Sequence, residues 1–361
     1  MSLFDSFRDP ELCKGLLHHL KQECDGLKFM EVCGTHTVSI FQSGLHSLLP
    51  ENITHLTGPG CPVCVTHDAE VDAYLRVAAK DNVILATFGD LMRVPGPGGL
   101  NLKTAQAEGA RIKVVYSPFD ALQLAQDNPG DTVVFIGVGF ETTAPTIAAT
   151  VKTARQRGLD NFKVLSFHKL VPPALRVLLD DPDMNIEAFI LPGHVSAVIG
   201  LPPYDFLPLE YNLPAVVGGF EPSDILQSLL MLVRMKNEGK PDVVNQYTRV
   251  VADEGNPTAM AIMDEVFAPA DAMWRGIGKI PGSGLVFSEA YRDFDALQAL
   301  GLELNDVQPI KGCMCGEVLK GKLRPNQCPL FRKACTPAKP VGPCMVSTEG
   351  SCAAYYKYST D

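Results

Sequence analysis

Eight short apolar runs, each closed by a polar or glycine-rich motif and parted from the next by a helical segment, constrain this chain more than any other feature. They cover residues 28–32, 53–57, 83–87, 112–116, 132–137, 163–167, 187–191 and 214–218. Such alternation is the pattern of an α/β protein with parallel sheets. The closing motifs are Cys33-Gly34-Thr35-His36, Gly58-Pro59-Gly60-Cys61, Phe88-Gly89-Asp90, Ser117-Pro118, Gly139-Phe140-Glu141-Thr142-Thr143, His168-Lys169, Pro192-Gly193-His194-Val195-Ser196 and Gly219-Phe220-Glu221-Pro222. In open parallel sheets ligands bind beyond the carboxyl ends of the strands. Eight chemically loaded endings therefore point to one or two facing sites there.

The rhythm repeats. Runs starting at 28, 53, 83 and 112 map onto 132, 163, 187 and 214, at offsets of 104, 110, 104 and 102. The clearest echo sets Pro118-Phe119-Asp120-Ala121-Leu122-Gln123 against Pro222-Ser223-Asp224-Ile225-Leu226-Gln227. We read two related four-stranded βα domains, residues 25–127 and 128–238, facing each other across a cleft. The rival is one eight-stranded barrel, which needs about 250 residues, whereas these runs span about 190. Leu12, Leu16, Leu17 and Leu20 fall at helical spacing, so residues 8–24 read as a helix. Residues 1–24 are expected to pack on a third domain, 239–361. In that last stretch 256–267 reads as a helix, and Trp274-Arg275-Gly276 and 281–284 as loops. From Gly312 the chain is rich in Cys, Pro and Gly and poor in periodicity. Such a tail has too little core to fold by apolar burial alone, and a metal centre would supply the missing energy.

A chain of 361 residues suits two or three domains. Its formal charge of −10 disfavours nucleic acid and anionic membranes as partners. No apolar run is long enough to span a bilayer, and the first ten residues hold no signal core. The expectation is a cytoplasmic protein, a monomer on its own. Eleven cysteines in that setting read as ligands and redox groups rather than a disulfide framework. Cys13 and Cys24 lie in the helical pattern at the start and read as structural.

Three thiols sit at strand ends. Cys61 and Cys64 have C-x-x-C spacing in a turn stiffened by Gly58, Pro59, Gly60 and Pro62. The pair is close enough to close a disulfide or to form half of a zinc cage. Cys33 stands alone, with His36 three residues on, and suits a nucleophile or metal-holding thiolate with His36 as proton shuttle or partner. Asp90 and Arg93 form an ion pair that shapes their loop, or position a substrate. Glu141 and Glu221 end matching strands and suit proton transfer or helix capping. His194 reads as functional because it too ends a strand. His18, His19, His46, His55 and His67 read as surface or local structure. Six cysteines crowd the tail: Cys313, Cys315, Cys328, Cys335, Cys344 and Cys352. Four of them make a tetrathiolate site for an iron–sulfur cluster or for zinc. Zinc cages commonly carry C-x-x-C knuckles, which the tail lacks.

Taken together, Cys33-Gly34-Thr35-His36, Gly58-Pro59-Gly60-Cys61-Pro62-Val63-Cys64, Phe88-Gly89-Asp90 with Arg93-Val94-Pro95-Gly96, Gly139-Phe140-Glu141-Thr142-Thr143 and Pro192-Gly193-His194-Val195-Ser196 resemble the HypD family of hydrogenase maturation proteins. The tail adds Cys315-Gly316-Glu317-Val318, Cys328-Pro329-Leu330-Phe331, Cys335 and Glu349-Gly350-Ser351-Cys352. The resemblance implies a scaffold for the Fe(CN)2CO unit of [NiFe]-hydrogenases. It would work with the small chaperone HypC, receive cyanide from HypE and pass its product to the hydrogenase large-subunit precursor. It further implies two related α/β domains and a third with a [4Fe-4S] cluster on Cys315, Cys328, Cys335 and Cys352. Cys33 would hold the iron being decorated, and Cys61 and Cys64 would be the redox pair. Many family members carry a second histidine where this chain has Val38, which leaves His36 to serve alone. The alternative function is a cluster-fed thiol–disulfide oxidoreductase.

Overall fold

The computed structural model describes residues 5–359. In chain order its strands are β1 (Leu27–Glu31), β2 (Ile53–Thr57), β3 (Val83–Thr87), β4 (Ile112–Val114), β5 (Thr132–Gly137), β6 (Phe162–Ser166), β7 (Ala188–Pro192), β8 (Ala215–Gly218), β9 (Val243–Asn245), β10 (Phe267–Trp274) and β11 (Gly278–Phe287). The first nine make two parallel sheets, in the orders β2-β1-β7-β8-β9 and β4-β3-β5-β6. Central strands β3 and β7 are buried along their whole length. Full burial is what helices on both faces impose, and it explains why these strands read as continuous apolar runs.

The runs are where the sequence places them, but they are not shared out by halves. β1 and β2 pair with each other, and β1 next pairs with β7, far along the chain. The strands in between, β3 to β6, form the second sheet on their own. The first unit is thus discontinuous, the second is inserted into it, and the first sheet has five strands rather than four. Periodicity marks a segment as a strand and is silent on its neighbour. The echo at offset 104 has a local cause. Pro118–Asp127 and Pro222–Glu238 are both helices with proline in the first turn and a reciprocal cap, in which Asp120 accepts from Ser117 N–H and Asp224 from Glu221 N–H, each at 3.0 Å. Pro at the first position and an acid two residues later is helix-start chemistry.

Two further expectations change. The helix Pro10–Glu23 packs on the five-stranded unit, not on the cysteine-rich tail. Leu20 is buried beside Ile225, Leu226 and Leu229 of the helix Pro222–Glu238, and Arg234 grips Glu23 through two bonds, at 2.8 and 3.0 Å. Residues 239–361 are not one body either. β9 joins the first sheet, the helix Pro257–Val266 packs on Ala144–Gln156 beside the second, and the β10–β11 hairpin reaches the helix Val171–Leu179. That hairpin takes in residues 281–284, which read as a loop, whereas Arg275 and Gly276 do lie in the turn between its strands. Pro269 and Pro281 and a bulge between Ala270 and Ala272 break its alternation, and prolines of this kind are tolerated on a two-stranded ribbon, where one edge is unpaired.

The cysteine-rich segment folds against the helix Gly34–Gln42. Phe41, Phe331, Met345, Ala354 and Tyr355 form a small core, and the Phe41 and Tyr355 rings lie 4.3 Å apart. Val38 packs against that cluster, so its side chain serves as apolar packing there.

Candidate functional site

Strand ends from both sheets converge on a cavity of about 380 Å³. It is lined by Cys33 after β1, Gly60 and Pro62 after β2, Phe140, Thr142 and Thr143 after β5, His194 after β7, and Glu349 from the cysteine-rich segment. The β1 and β2 loops clasp each other backbone to backbone. Gly34 N–H donates to the Gly60 carbonyl at 2.9 Å. A Cβ on Gly60 would lie 2.3 Å from the Cys33 nitrogen, and one on Gly34 would lie 2.5 Å from the Glu349 Cβ. Only glycine permits either approach.

Cys33 starts the helix Gly34–Gln42. Its thiol is pushed up to about 12 by burial and by the nearby Glu349 carboxylate, against the pull of the Thr35 and His36 N–H groups. It therefore carries its proton until a cation arrives to replace it. Glu31, within β1, is fully buried. It accepts from Cys33 N–H at 3.0 Å and from the Thr37 hydroxyl at 2.6 Å. Burial holds its carboxyl well above the usual range. His55 lies 3.6 Å away, buried and stacked on Phe29, so it is core and not surface.

His36 does not face the thiol. Its Nε2 donates toward the carbonyls of Gly219 at 3.0 Å and Gly218 at 3.2 Å, beyond β8. Burial lowers its pKa to about 4. The ring is a neutral tie between the ends of β1 and β8, not a shuttle. Phe220 packs between it and His194, with ring centroids at 4.6 and 4.2 Å. His194 is the exposed imidazole of the cleft.

Glu141 sits just behind the lining. One carboxyl oxygen accepts from Val171 N–H at 2.9 Å; the other is buried and has no partner among the described residues. Burial raises its pKa to about 7. Asp90 is not paired with Arg93. Arg93 donates to the Pro337 carbonyl at 2.6 Å, tying its loop to the cysteine-rich segment, and lines a different groove. Asp90 accepts from its own N–H and that of Leu91, and burial raises its pKa. Glu221 caps its helix and pairs with Arg8 on the outside.

Cys61 and Cys64 are joined as a disulfide across the single helical turn Pro62–Val65, with Cα atoms 5.2 Å apart. Pro62 and Gly60 reach the cleft while both sulfurs are buried behind it; Cys64 is 0% exposed. On its other side the turn packs on residues 343–345, and both cysteines share an apolar core with Cys315 and Cys344. All six tail cysteines line one small hollow with Met314, Val318, Leu330, Phe331 and Met345. Cys315 and Cys344 have sulfurs 3.0 Å apart. Hydrogen bonds from the Cys313 and Cys344 thiols favour the Cys315 thiolate. Soft donors inside apolar walls fit an iron–sulfur cluster. The hollow gathers six thiols and does not separate the four expected ligands from Cys313 and Cys344. Among the described residues no three of His, Cys, Asp or Glu converge as a single-ion site.

Sequence reasoning missed Glu31 and Glu349. A lone carboxylate inside the apolar run Phe29-Met30-Glu31-Val32 was the available signal for the first. The second lay inside a tail motif with nothing to place it beside Cys33. No described helix is long and apolar enough to cross a membrane.

The model of the family described as "HypD: Hydrogenase formation hypA family" matches residues 11–359. The chain is 47% identical to the "Hydrogenase maturation factor HypD" of Rhodobacter capsulatus, over 99% of this chain and 98% of that one. It is 46% identical to the protein of the same name from Escherichia coli, with 99% and 98% covered, and 44% identical to the "Hydrogenase expression/formation protein HupD" of Azotobacter chroococcum, with 99% and 97% covered. A match along nearly the whole length means that the chain belongs to the HypD family of hydrogenase maturation factors.

Proposed function

We propose that this chain is the scaffold on which the Fe(CN)2CO unit of a [NiFe]-hydrogenase is assembled, in the cytoplasm. In this reading it acts with a HypC-type chaperone, takes cyanide from a HypE-type donor and serves the hydrogenase large-subunit precursor. Alone it is a monomer. The observation that carries this reading is the stacking of three sulfur sites: Cys33 in the cleft, the Cys61–Cys64 turn behind it, and the tail cysteines behind that.

Iron is the cargo. Binding of Fe(II) at Cys33 displaces the thiol proton, and a soft thiolate suits low-spin iron with strong-field ligands. Glu141, just behind the cleft lining, is raised by burial to about 7, so a place for the released proton lies close by. Cyanide arrives as a thiocyanate-like group, R–S–CN. Two electrons cleave it to a thiolate and cyanide, which binds the iron. Cys61 and Cys64, as one thiol and one thiolate, provide those two electrons, release one proton and close to the disulfide. The tail cysteines, Cys315, Cys328, Cys335 and Cys352 in this assignment, would hold a [4Fe-4S] cluster, which supplies electrons singly when bound. A free-standing thiol–disulfide oxidoreductase is the weaker reading, because a disulfide with both sulfurs buried is closed to a partner protein's thiol.

Infrared spectra of the anaerobically purified complex test the proposal. Bands from iron-bound CN and CO are expected in the native protein and absent from Cys33→Ser, while the visible absorption of the cluster stays. Bands of native intensity in Cys33→Ser would overturn the scaffold role of that thiol.

A further inference from the structure

Arg275 has no place in the chemistry above, yet it stands where the two inner sulfur sites meet. It is 6% exposed. Its backbone N–H donates to the Val65 carbonyl at 2.9 Å, and Trp274 bridges to Thr66. Its Nε donates to the Thr66 carbonyl at 2.9 Å and its Nη1 to Asp68 at 2.5 Å. The residues gripped are thus the first, second and fourth after Cys64. On the other side Gly276 presses on Gly316: a Cβ on Gly276 would lie 2.1 Å from the Gly316 Cα, next to Cys315. Nη2 is buried with no partner among the described residues. A second buried pair, Lys169 with Glu70 at 2.5 Å, pins the first turn of the helix Asp68–Ala78, which also carries Asp68, to the inserted unit.

We infer that Arg275 is a positioning residue for electron transfer: it holds the Cys61–Cys64 turn against the tail cysteines and lends that pair a fixed, buried positive charge that favours its reduced form. The inference rests on the redox reading of Cys61 and Cys64 given above. Its physical basis is simple. Two electrons with one proton leave the pair as one thiol and one thiolate, the thiolate suited to Cys61, whose sulfur accepts from Cys64 N–H at 3.2 Å. Reduction so written brings one negative charge to sulfur, and an arginine cannot shed its proton to escape burial. Burial near the charge keeps solvent from screening it.

The test uses the full chain, equilibrated anaerobically with mixtures of reduced and oxidised dithiothreitol, then trapped by alkylation and weighed. The small dithiol gives two electrons and one proton to the protein disulfide, closes to its own and releases its other proton to the buffer, which leaves one thiol and one thiolate on the protein. Arg275→Gln is expected to need about tenfold more reduced over oxidised reagent, which is about 30 mV for a two-electron couple. Arg275→Lys, which keeps the charge, should stay within about threefold of the native protein. Asp68→Asn keeps Arg275 and removes its counter-charge, so it should shift the balance the other way, toward thiols. A purely structural clamp would move Gln and Asn variants in the same direction, and that result overturns the inference; so does a folded Arg275→Gln protein that titrates like the native one. A native pair that stays oxidised at every ratio overturns the redox reading itself and takes this inference with it.

Discussion

Glu141 and His36 are both buried titratable groups, and they respond to pH in opposite directions. Glu141 is raised from its ordinary 4.5 to about 7. An acid whose folded value lies above its unfolded value stabilises fully below the unfolded value. That contribution is lost as pH rises through the folded one. The loss is on the order of 3 kcal/mol. We expect native stability, measured against Glu141→Gln by urea midpoints, to fall by up to that amount between pH 5 and pH 8. A constant difference would remove the titration from the site. His36 is lowered from 6.5 to about 4. Its neutral form stabilises fully above 6.5, and that contribution drains as pH falls toward 4. Against His36→Gln, the native protein should lose about 2 kcal/mol between pH 7 and pH 5. His36 NMR shifts that titrate near 6.5 in the folded protein would contradict this. Neither value was legible in the sequence. Residue type and strand-end position nominate a group for chemistry, but burial and the carbonyls of Gly218 and Gly219 decide what it can do, and those arrive from β8.

At the scale of elements, the sequence is informative about strands and helix starts and poor on pairing. All eight apolar runs are strands, because a strand buried on both faces must be apolar throughout. The β10–β11 hairpin escaped notice because its prolines, glycines and bulge imitate loop chemistry. The convergence of Cys33 with the C-x-x-C turn was legible as two strand ends. That their loops touch through Gly34 and Gly60 was not, since a glycine chosen for close approach looks like one chosen for a turn. Gly60→Ala should show the difference. Its Cβ would meet the Cys33 backbone, and backbone cannot swing aside as a side chain can. We expect a loss of about 1–3 kcal/mol, together with altered alkylation of Cys33. Gly130→Ala, where nothing lies within 4 Å, should be near neutral. Equal urea midpoints for the two variants would argue against the clasp.

For the whole molecule, the decisive fact is that one sheet is interrupted by the other. Residues 25–127 contain β1 and β2 of one sheet with β3 and β4 of the other, and residues 128–238 divide in the same way. Neither piece holds a complete sheet, so neither should fold. Each, expressed alone, is expected to lack a cooperative urea transition by circular dichroism, and a sharp transition in either would contradict the topology. The interruption also has a consequence during synthesis. β1 and β2 leave the ribosome early, but their sheet lacks its remaining partners until β9 has followed. At ~5–20 residues per second that interval is on the order of ten to forty seconds. Through it Cys33, Cys61 and Cys64 hang on a nascent chain, open to oxidants and stray metal ions, with no cleft to shield them. Cys64, which the finished fold leaves 0% exposed, is bare on the growing chain through that whole interval.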